Sequence, residues 1–203
     1  MRGHLARKRF GQNFLVDPHY VARIVAAIDA KPGDNLVEIG PGLAALTAAL
    51  IERAGRIAAI EIDRDLATRL AAEFPPERLT LHVADALAFD FAALGENLRI
   101  VGNLPYNIST PLLFHLAEFD ARIRDVHVML QREVVARIIS RPREKPFSLL
   151  GYGVGVHLVA SVSSSILLSS QPKPRAVRVA WGVPSFFAAI TMARVPVPYD
   201  RAS

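Results

Sequence analysis

The sequence predicts an α/β fold with a doubly wound, mostly parallel sheet, and two observations support this class. Short apolar runs alternate with segments of helical spacing over the first 130 residues. The runs are apolar at nearly every position, as expected for strands that helices cover on both faces. A chain of 203 residues that is 51% hydrophobic is long enough for one compact domain with a sizeable core.

Each predicted strand is an apolar run bounded by polar or turn residues. The predicted strands cover 35–39, 56–62, 79–83, 98–101 and 126–130. The predicted helices cover 19–28, 44–53, 64–74 and 110–116, with a short helical stretch at 89–94. Ligands of such sheets bind outside the carboxyl ends of the strands, so functional residues are expected there.

The charge balance favours a polyanionic partner. The chain has 24 Lys and Arg against 19 Asp and Glu, which gives a net charge of +5 and a pI near 10. This balance fits a protein that binds nucleic acid. Ordinary surface charge that keeps a protein soluble explains the same numbers. The sequence contains no cysteine, which excludes disulfides, thiolate metal sites and cysteine nucleophiles. We expect no metal, and a reducing cytoplasm fits this composition.

Two segments bear on targeting. The first ten residues, MRGHLARKRF, are basic and lack the apolar stretch of a secretory signal, so they are expected to belong to the mature protein. Residues 147–170 carry no charge apart from His157, which is long enough for a membrane span. Gly151, Gly153, Gly155 and several serines favour buried strands, so no membrane association is expected.

A glycine turn follows the first predicted strand in NLVEIGPGLAALTAAL, where Gly40 and Gly42 allow a sharp bend and a close approach to a ligand. The dinucleotide fingerprint G-x-G-x-x-G would need a glycine where Ala45 stands, which weakens a hydride-transfer interpretation. No Lys followed by Ser or Thr is present in the turn, so the phosphate-binding P-loop is absent. The turn predicts a nucleoside cofactor without phosphates.

Acidic residues close the next two strands. Glu61 lies about twenty residues after the turn, where a carboxylate can accept hydrogen bonds from two ribose hydroxyls. Asp85 can accept a bond from the adenine amine of the same cofactor, although a helix N-cap is an alternative role. S-adenosylmethionine fits this set, and Glu38 near the turn can attract its positive groups or remain a solvated strand-end carboxylate.

The fourth strand runs into Asn103-Leu104-Pro105-Tyr106, which has the chemistry to methylate an adenine N6 amine. This amine is a poor nucleophile, and acceptors such as Asn103 Oδ1 and the Leu104 carbonyl can hold its N–H groups. Pro105 fixes the backbone, and Tyr106 offers a face for stacking an extruded base. A simple β-turn that begins with Asn is the alternative. No general base is required, because the methylated amine loses its proton to water.

Six motifs in order resemble the bacterial small-subunit ribosomal RNA adenine dimethyltransferase family. They are RKRFGQNFL, VEIGPGLAALT, AIEIDRDL, VADAL, VGNLPYNISTPLLF and MLQREVVARI, spread over residues 7–160. The resemblance implies a Rossmann-like class I S-adenosylmethionine-dependent methyltransferase that dimethylates two adjacent adenines near the 3′ end of 16S rRNA. It also implies a cytoplasmic, monomeric protein whose substrate is 16S rRNA within an immature small ribosomal subunit.

The resemblance also assigns residues to roles. The implied cofactor contacts are Asn13, Leu15, Gly40, Glu61, Asp85 and Asn103. The implied RNA contacts are Arg7, Lys8, Arg9 and Phe147, while Tyr106 stacks on the target base. Phosphate contacts of this sort weaken steeply with salt.

The chain departs from the family pattern in two places. Ala44 stands where many relatives have a further glycine. After residue 160 the family's F-x-P-x-P-K-V segment, its closing strand and its small helical domain are expected to be missing, and a change of reading frame after about Val159 is our hypothesis for this tail. The predicted organisation is a basic, cofactor-contacting arm at 1–20, a catalytic domain at 21–160 and an atypical tail at 161–203.

Four other functions compete with rRNA dimethylation of the small subunit. A related resistance-type enzyme modifies a 23S adenine with nearly the same motifs. A non-catalytic RNA-binding assembly factor could keep this fold without turnover. A DNA adenine methyltransferase is less favoured because no target-recognition domain is recognisable, and an oxidoreductase is weaker still.

Overall fold

A computed structural model describes residues 17–131, 134, 175–180 and 187–194 of the chain. For Tyr106, Gln131 and the last two ranges, the description concerns the backbone alone. Residues 1–16 of the predicted arm at 1–20 lie outside the described residues, as does the segment 135–174.

Seven strands form one sheet in the order β3-β2-β1-β4-β5-β7-β6. The strands are β1 Asn35–Ile39, β2 Ile57–Glu61, β3 Leu79–Val83, β4 Leu98–Asn103, β5 Ile123–Gln131, β6 Arg175–Ala180 and β7 Phe187–Arg194. The first five are parallel to one another, whereas β7 runs antiparallel to both β5 and β6. The prediction of a doubly wound, mostly parallel sheet is confirmed.

The helices are α1 Pro18–Ile28, α2 Thr47–Ala54, α3 Arg64–Glu73 and α4 Tyr106–Glu118, with a 3₁₀ helix at Phe91–Leu94. Aspartates begin three of them, because their carboxylates accept N–H groups of the first turn. Asp63 accepts from Asp65 at 2.9 Å and Leu66 at 3.2 Å, and Asp17 and Asp90 cap α1 and the 3₁₀ helix in the same way.

Alternate strand residues enter cores on opposite faces of the sheet. Val37 and Ile100 belong to the cluster that contains Leu112, Leu113 and Leu116 of α4 together with Phe91. Their neighbours Leu36 and Val101 belong to the cluster formed with the buried sides of α1, α2 and α3. Both faces are therefore covered, as the continuous apolar runs predicted.

The expectation that the tail lacks a closing strand is wrong. Strand β7 pairs along β5 from Asp125↔Ala193 to Gln131↔Phe187, and β6 pairs with β7. This pairing satisfies backbone groups on the outer side of β5 that would otherwise form an open edge. The segment RAVRVA forms β6 and the segment FAAITMAR forms β7. These strands form although the F-x-P-x-P-K-V motif expected before the closing strand is not recognisable.

Helix α4 begins four residues earlier than the sequence predicted. Pro105 lies at its N-cap with φ −63° and ψ 147°, and its carbonyl accepts hydrogen bonds from Ile108 at 3.2 Å and Ser109 at 3.1 Å. Proline is favourable at a helix start because its fixed φ is preorganised and its missing N–H is not needed there. The chain therefore turns directly from β4 into the helix.

No helix within the described residues is both long and apolar enough to cross a membrane. The uncharged segment 147–170 lies outside those residues.

Candidate functional site

Four predicted site residues lie at one edge of the sheet. Glu61 and Asn103 end β2 and β4, Gly40 follows β1, and Asp85 comes two residues after β3. The strands are parallel and in close register, since Ile39 pairs with both Ile60 and Gly102. The carboxyl ends of the strands therefore bring these residues together, as the topology predicted.

The glycine turn is open on the side where a side chain would stand. Gly40 has φ +67°, and a Cβ built on it would meet no heavy atom within 4 Å. Its N–H donates to the Ile60 carbonyl at 2.9 Å, which fixes the turn on β2. The turn therefore leaves room for a ligand against its backbone.

Ala44 adopts φ +67°, in the left-handed region that favours glycine. Glycine would adopt this backbone without steric cost, which agrees with the glycine that the family resemblance led us to expect at this position. Ala44 is buried and its N–H donates to the Pro41 carbonyl at 2.9 Å. Burial of its methyl group offsets part of the cost, which is about 1–2 kcal/mol.

Glu61 is held by backbone donors on both carboxylate oxygens. Gly42 N–H donates to Oε2 at 3.2 Å, and Asp63 N–H donates to Oε1 at 2.9 Å. Burial raises the pKa of Glu61 above its ordinary value, although these backbone donors act in the opposite direction. Each carboxylate oxygen can accept a further bond, so the oriented Glu61 can accept two neighbouring hydroxyls of a ribose.

Asp85 is exposed, and its Oδ1 accepts the Leu87 N–H at 2.9 Å. This contact is the local capping bond that the sequence left open as an alternative role. The bond fixes the loop after β3 at the site edge. It leaves the carboxylate with further acceptor capacity.

Two exposed apolar side chains flank these acidic residues. Ile62 is 46% exposed and Val83 is 54% exposed, and Val83 pairs in register with Glu61. Sequence reasoning missed both, because each was counted as a strand residue or its continuation. The pattern that could have identified them in the sequence is an apolar residue within two positions of an acidic one at a strand end. A flat heterocycle bound there needs an apolar surface.

The Asn103–Tyr106 segment is anchored firmly at its start. Leu104 is only 2% exposed, and its N–H donates to the Met129 carbonyl at 3.2 Å. Asn103 is half-buried at the end of β4, and Tyr106 is the first residue of α4. Anchoring of Leu104 in the core fixes the backbone on both sides of it.

Gly102 allows β4 to approach β1 directly before this segment. A Cβ at Gly102 would lie 2.9 Å from the Ile39 carbonyl oxygen and 3.0 Å from Leu104 Cδ2. No side chain fits that space without backbone movement. Sequence reasoning did not single out this glycine.

A buried carboxyl lies beneath the glycine turn. Glu38 is 2% exposed, and its Oε2 accepts a hydrogen bond from the Thr47 hydroxyl at 2.7 Å. Burial raises its pKa to about 7, the charge of Glu61 adds to the increase, and the Thr47 bond opposes it. The solvated strand-end role considered for Glu38 is therefore wrong.

Several predicted site residues lie outside the described residues. They are Arg7, Lys8, Arg9, Asn13, Leu15 and Phe147. Within the described part of the chain, no cluster of side chains has the composition of a metal site.

Solved methyltransferases share this architecture. The 23S rRNA methyltransferase ErmE aligns with a TM-score of 0.66 and 22% identity, covering 92% of this chain and 71% of its own. A dimethyladenosine transferase from Plasmodium falciparum aligns with a TM-score of 0.66 and 20% identity, covering 90% and 64% respectively. At these identities the likeness concerns the fold, and it confirms the predicted Rossmann-like, class I methyltransferase architecture.

The chain belongs to the ribosomal RNA adenine dimethylase family, whose profile matches residues 3–175. Ribosomal RNA small subunit methyltransferase A of Aromatoleum aromaticum is 59% identical over 150 residues, which is 74% of this chain and 57% of that protein. The protein of the same name from Thiobacillus denitrificans is 60% identical over 147 residues, 72% and 58% respectively. The chain therefore spans less than two thirds of the length of these relatives.

Proposed function

We propose that the protein transfers methyl groups from S-adenosylmethionine to N6 of two adjacent adenines near the 3′ end of 16S rRNA. The observation that carries this proposal is the placement of Asn103 at the same sheet edge as Gly40 and Glu61. Family membership and the names of the relatives support the reaction class and the ribosomal substrate.

The residues at this edge suit the proposed cofactor. The open turn at Gly40 leaves room for its amino acid portion, Glu61 accepts from the ribose hydroxyls, and Asp85 accepts from the adenine amine. Ile62 and Val83 offer apolar surface for the ring. Asn13 and Leu15 complete the proposed set. When bound, S-adenosylmethionine supplies the electrophilic methyl group.

The target adenine is proposed to bind at Asn103-Leu104-Pro105-Tyr106. Asn103 Oδ1 and the Leu104 carbonyl accept the two N–H groups, which favours a pyramidal nitrogen with an available lone pair. Pro105 fixes the direction of the carbonyl before it, and Tyr106 stacks on the base. Stacking offsets part of the few kcal/mol that extrusion of a base costs.

The RNA itself is proposed to be held outside the catalytic edge. Arg7, Lys8 and Arg9 contact phosphates, and Phe147 flanks the target base. The proposed partner is 16S rRNA within an immature small ribosomal subunit, bound by a cytoplasmic monomer. Because phosphate contacts release counterions, RNA affinity should fall steeply with salt.

A tritiated-methyl assay on immature 30S particles tests this function. Wild-type protein should label the 16S rRNA, and Asn103→Ala should reduce the rate by about a hundredfold or more, the usual loss when an oriented polar contact to a reacting group is removed. Asn107→Ala is the matched control, since Asn107 is an exposed residue in the first turn of α4. Equal labelling by wild type and Asn103→Ala would contradict the proposal.

A non-catalytic role is the second candidate. The residues at the described sheet edge suit cofactor binding whether or not methyl transfer follows, so an RNA-binding assembly factor that keeps the cofactor fold without turnover is the alternative. Cofactor binding without methyl transfer to 30S particles would favour it. Labelling of 23S rRNA in separately offered 50S particles would instead favour the resistance-type activity.

A further inference from the structure

Glu38 is a buried acidic residue near the candidate site. The proposed reaction gives it no role, in contrast to Glu61 and Asp85. Glu38 lies two residues before Gly40, is 2% exposed, and accepts the Thr47 hydroxyl at 2.7 Å. Thr47 is the first residue of α2, so this one bond ties the end of β1 to the helix that follows the glycine turn. Burying a carboxyl against the hydroxyl of Thr47 is costly, which is unusual for a position with a structural role alone.

In the described part of the chain, the surroundings of Glu38 contain one charged group and little to stabilise a negative charge. Its neighbours in the sheet are Ala59 of β2 and Val101 of β4, and α2 contributes the neutral Thr47. Among the described residues, the charge that acts on Glu38 is the carboxylate of Glu61. Glu61 lies two residues after Ala59 on β2, so its side chain is on the same face of the sheet as Glu38, and its negative charge disfavours ionisation of Glu38.

We propose that Glu38 couples cofactor binding to proton release, holding a proton in the empty protein and losing it when a cationic cofactor occupies the glycine turn. The inference rests on the proposed function, because it takes S-adenosylmethionine as the ligand. The cofactor carries a sulfonium and an ammonium group, and a positive charge near the turn favours the ionised form of Glu38. Glu38 is thus a positioning residue whose ionised fraction rises when the ligand is present.

The sign of the pH dependence follows from proton linkage. Ligand binding lowers the pKa of Glu38 from the value of about 7 in the free protein, so the bound state holds fewer protons than the free state. Affinity therefore rises with pH and levels off above the free-protein value. Between pH 6 and pH 7.5 the dissociation constant should fall by up to about eightfold, the change in the ionised fraction of a group that titrates near 7.

Isothermal titration calorimetry of the full chain in buffers of different ionisation enthalpy measures the released protons directly. S-adenosylmethionine at pH 7 should release up to about half a proton per site, because about half of the Glu38 groups are protonated there. S-adenosylhomocysteine, which lacks the sulfonium charge, should release less. Glu38→Gln should bind the cofactor with the release abolished and the pH dependence flattened.

A second pair of variants tests the Thr47 contact without altering Glu38. Thr47→Val removes the donor that stabilises the ionised carboxyl, so the proton release should shift to higher pH. Thr47→Ser keeps the donor and should match wild type. Circular dichroism and urea unfolding confirm that each variant is folded.

The outcomes separate the two proposals. Absence of any binding heat would overturn the proposed cofactor together with this inference. Binding with no proton release, or a release that Glu38→Gln retains, would overturn only the assignment to Glu38. A Thr47→Val profile that coincides with wild type would also overturn it.

Discussion

Arg99 and Asp125 form a buried ion pair at the end of the sheet opposite the candidate site. Arg99 Nε lies 3.0 Å from both carboxylate oxygens of Asp125, and both side chains are buried. The same guanidinium donates to Asp34 Oδ2 at 2.5 Å and to the Ile28 carbonyl at 2.6 Å. One side chain of β4 therefore joins β5, the loop before β1 and the last residue of α1.

Arg99→Met should destabilise the protein by about 3–5 kcal/mol, the usual cost of leaving a buried partner charge uncompensated. Asp125, Asp34 and the Ile28 carbonyl would each lose the hydrogen bond from Arg99. Asp125 keeps its contact with His127, and Asp34 keeps its contacts with Lys31 and Arg124. Urea unfolding followed by circular dichroism measures the change.

Arg69→Met is the matched control, because Arg69 and Glu73 form an exposed pair at 3.8 Å on α3. Its effect should stay within about 0.5 kcal/mol, as for other surface pairs. Similar losses for both variants would contradict the structural role assigned to Arg99.

The same cluster predicts sensitivity to acid. Burial opposes ionisation of Asp125, but its interactions with His127 and Arg99 outweigh burial and place its pKa below the ordinary value. A carboxyl whose pKa is lower in the folded state contributes stability above its unfolded value of 3.8, and this contribution is lost as the pH falls through the folded value. The unfolding free energy of wild type should therefore fall more steeply below pH 4 than that of Asp125→Asn, as a urea series across acid pH will measure.

The ionisation of Glu38 predicts the opposite pH dependence of the unfolding free energy. Its pKa is raised from 4.5 to about 7 in the folded state, so the stability present below pH 4.5 is lost as the pH rises toward 7. Glu38→Gln removes this ionisation, and its unfolding free energy relative to wild type should increase by about 3 kcal/mol between pH 4.5 and pH 8.

Urea unfolding at the two pH values measures the difference for Glu38→Gln. The exposed Glu73→Gln on α3 serves as control and should show little change relative to wild type. If the difference between Glu38→Gln and wild type stays constant across this range, Glu38 does not titrate as assigned.

Much of the fold was predictable because its signals are local. The apolar runs that became β1 and β3 were predicted with the same bounds that the structure shows, 35–39 and 79–83. Strands β6 and β7 were not predicted. The pairing of β7 with β5 is a long-range relationship, and β6 pairs in turn with β7, which the small and alternating residues of 175–180 and 187–194 do not reveal. Tertiary pairing decides such segments more than local preference does.

The candidate site divides in the same way. Four site residues end a strand or follow one closely, so the sequence predicted that they share one edge of the sheet, and the structure confirms this. They are Gly40, Glu61, Asp85 and Asn103. The hydrogen bond between Glu38 and Thr47 joins residues nine positions apart across a turn, and only three-dimensional geometry identifies it. The exposure of Val83 at a strand end was likewise invisible in a run that looked uniformly buried.

The aromatic cluster around Phe91 should be a major source of stability. Phe91 is fully buried, with ring centroids 5.3 Å from Phe89 and 5.5 Å from Phe119. Phe91→Ala should cost about 3–5 kcal/mol through lost burial and the cavity left behind. Phe114→Ala, on the exposed side of α4, should cost well under about 1 kcal/mol because Phe114 is 40% exposed. Thermal and urea unfolding of the two variants test this difference, and equal losses would contradict it.

Ile62 and Val83 should contribute to cofactor affinity rather than to folding. Each is about half exposed in the structure, so little of its apolar surface is buried against the protein. A bound heterocycle would cover that surface, and about 40–60 Å² of newly buried apolar area corresponds to about 1–1.5 kcal/mol, or roughly tenfold in affinity. Ile62→Ser and Val83→Ser should therefore each weaken S-adenosylhomocysteine binding by about tenfold in calorimetry, with unfolding free energies close to wild type.

Phe114→Ala supplies the control for this last comparison, since it removes exposed apolar surface of similar extent from α4 rather than from the ends of β2 and β3. Its affinity for S-adenosylhomocysteine should equal that of wild type. Should the serine variants bind as tightly as Phe114→Ala, the adenine ring does not contact the ends of these two strands. Should they lose stability and affinity together, the two side chains serve folding, and their exposure at the site edge has no bearing on the ligand.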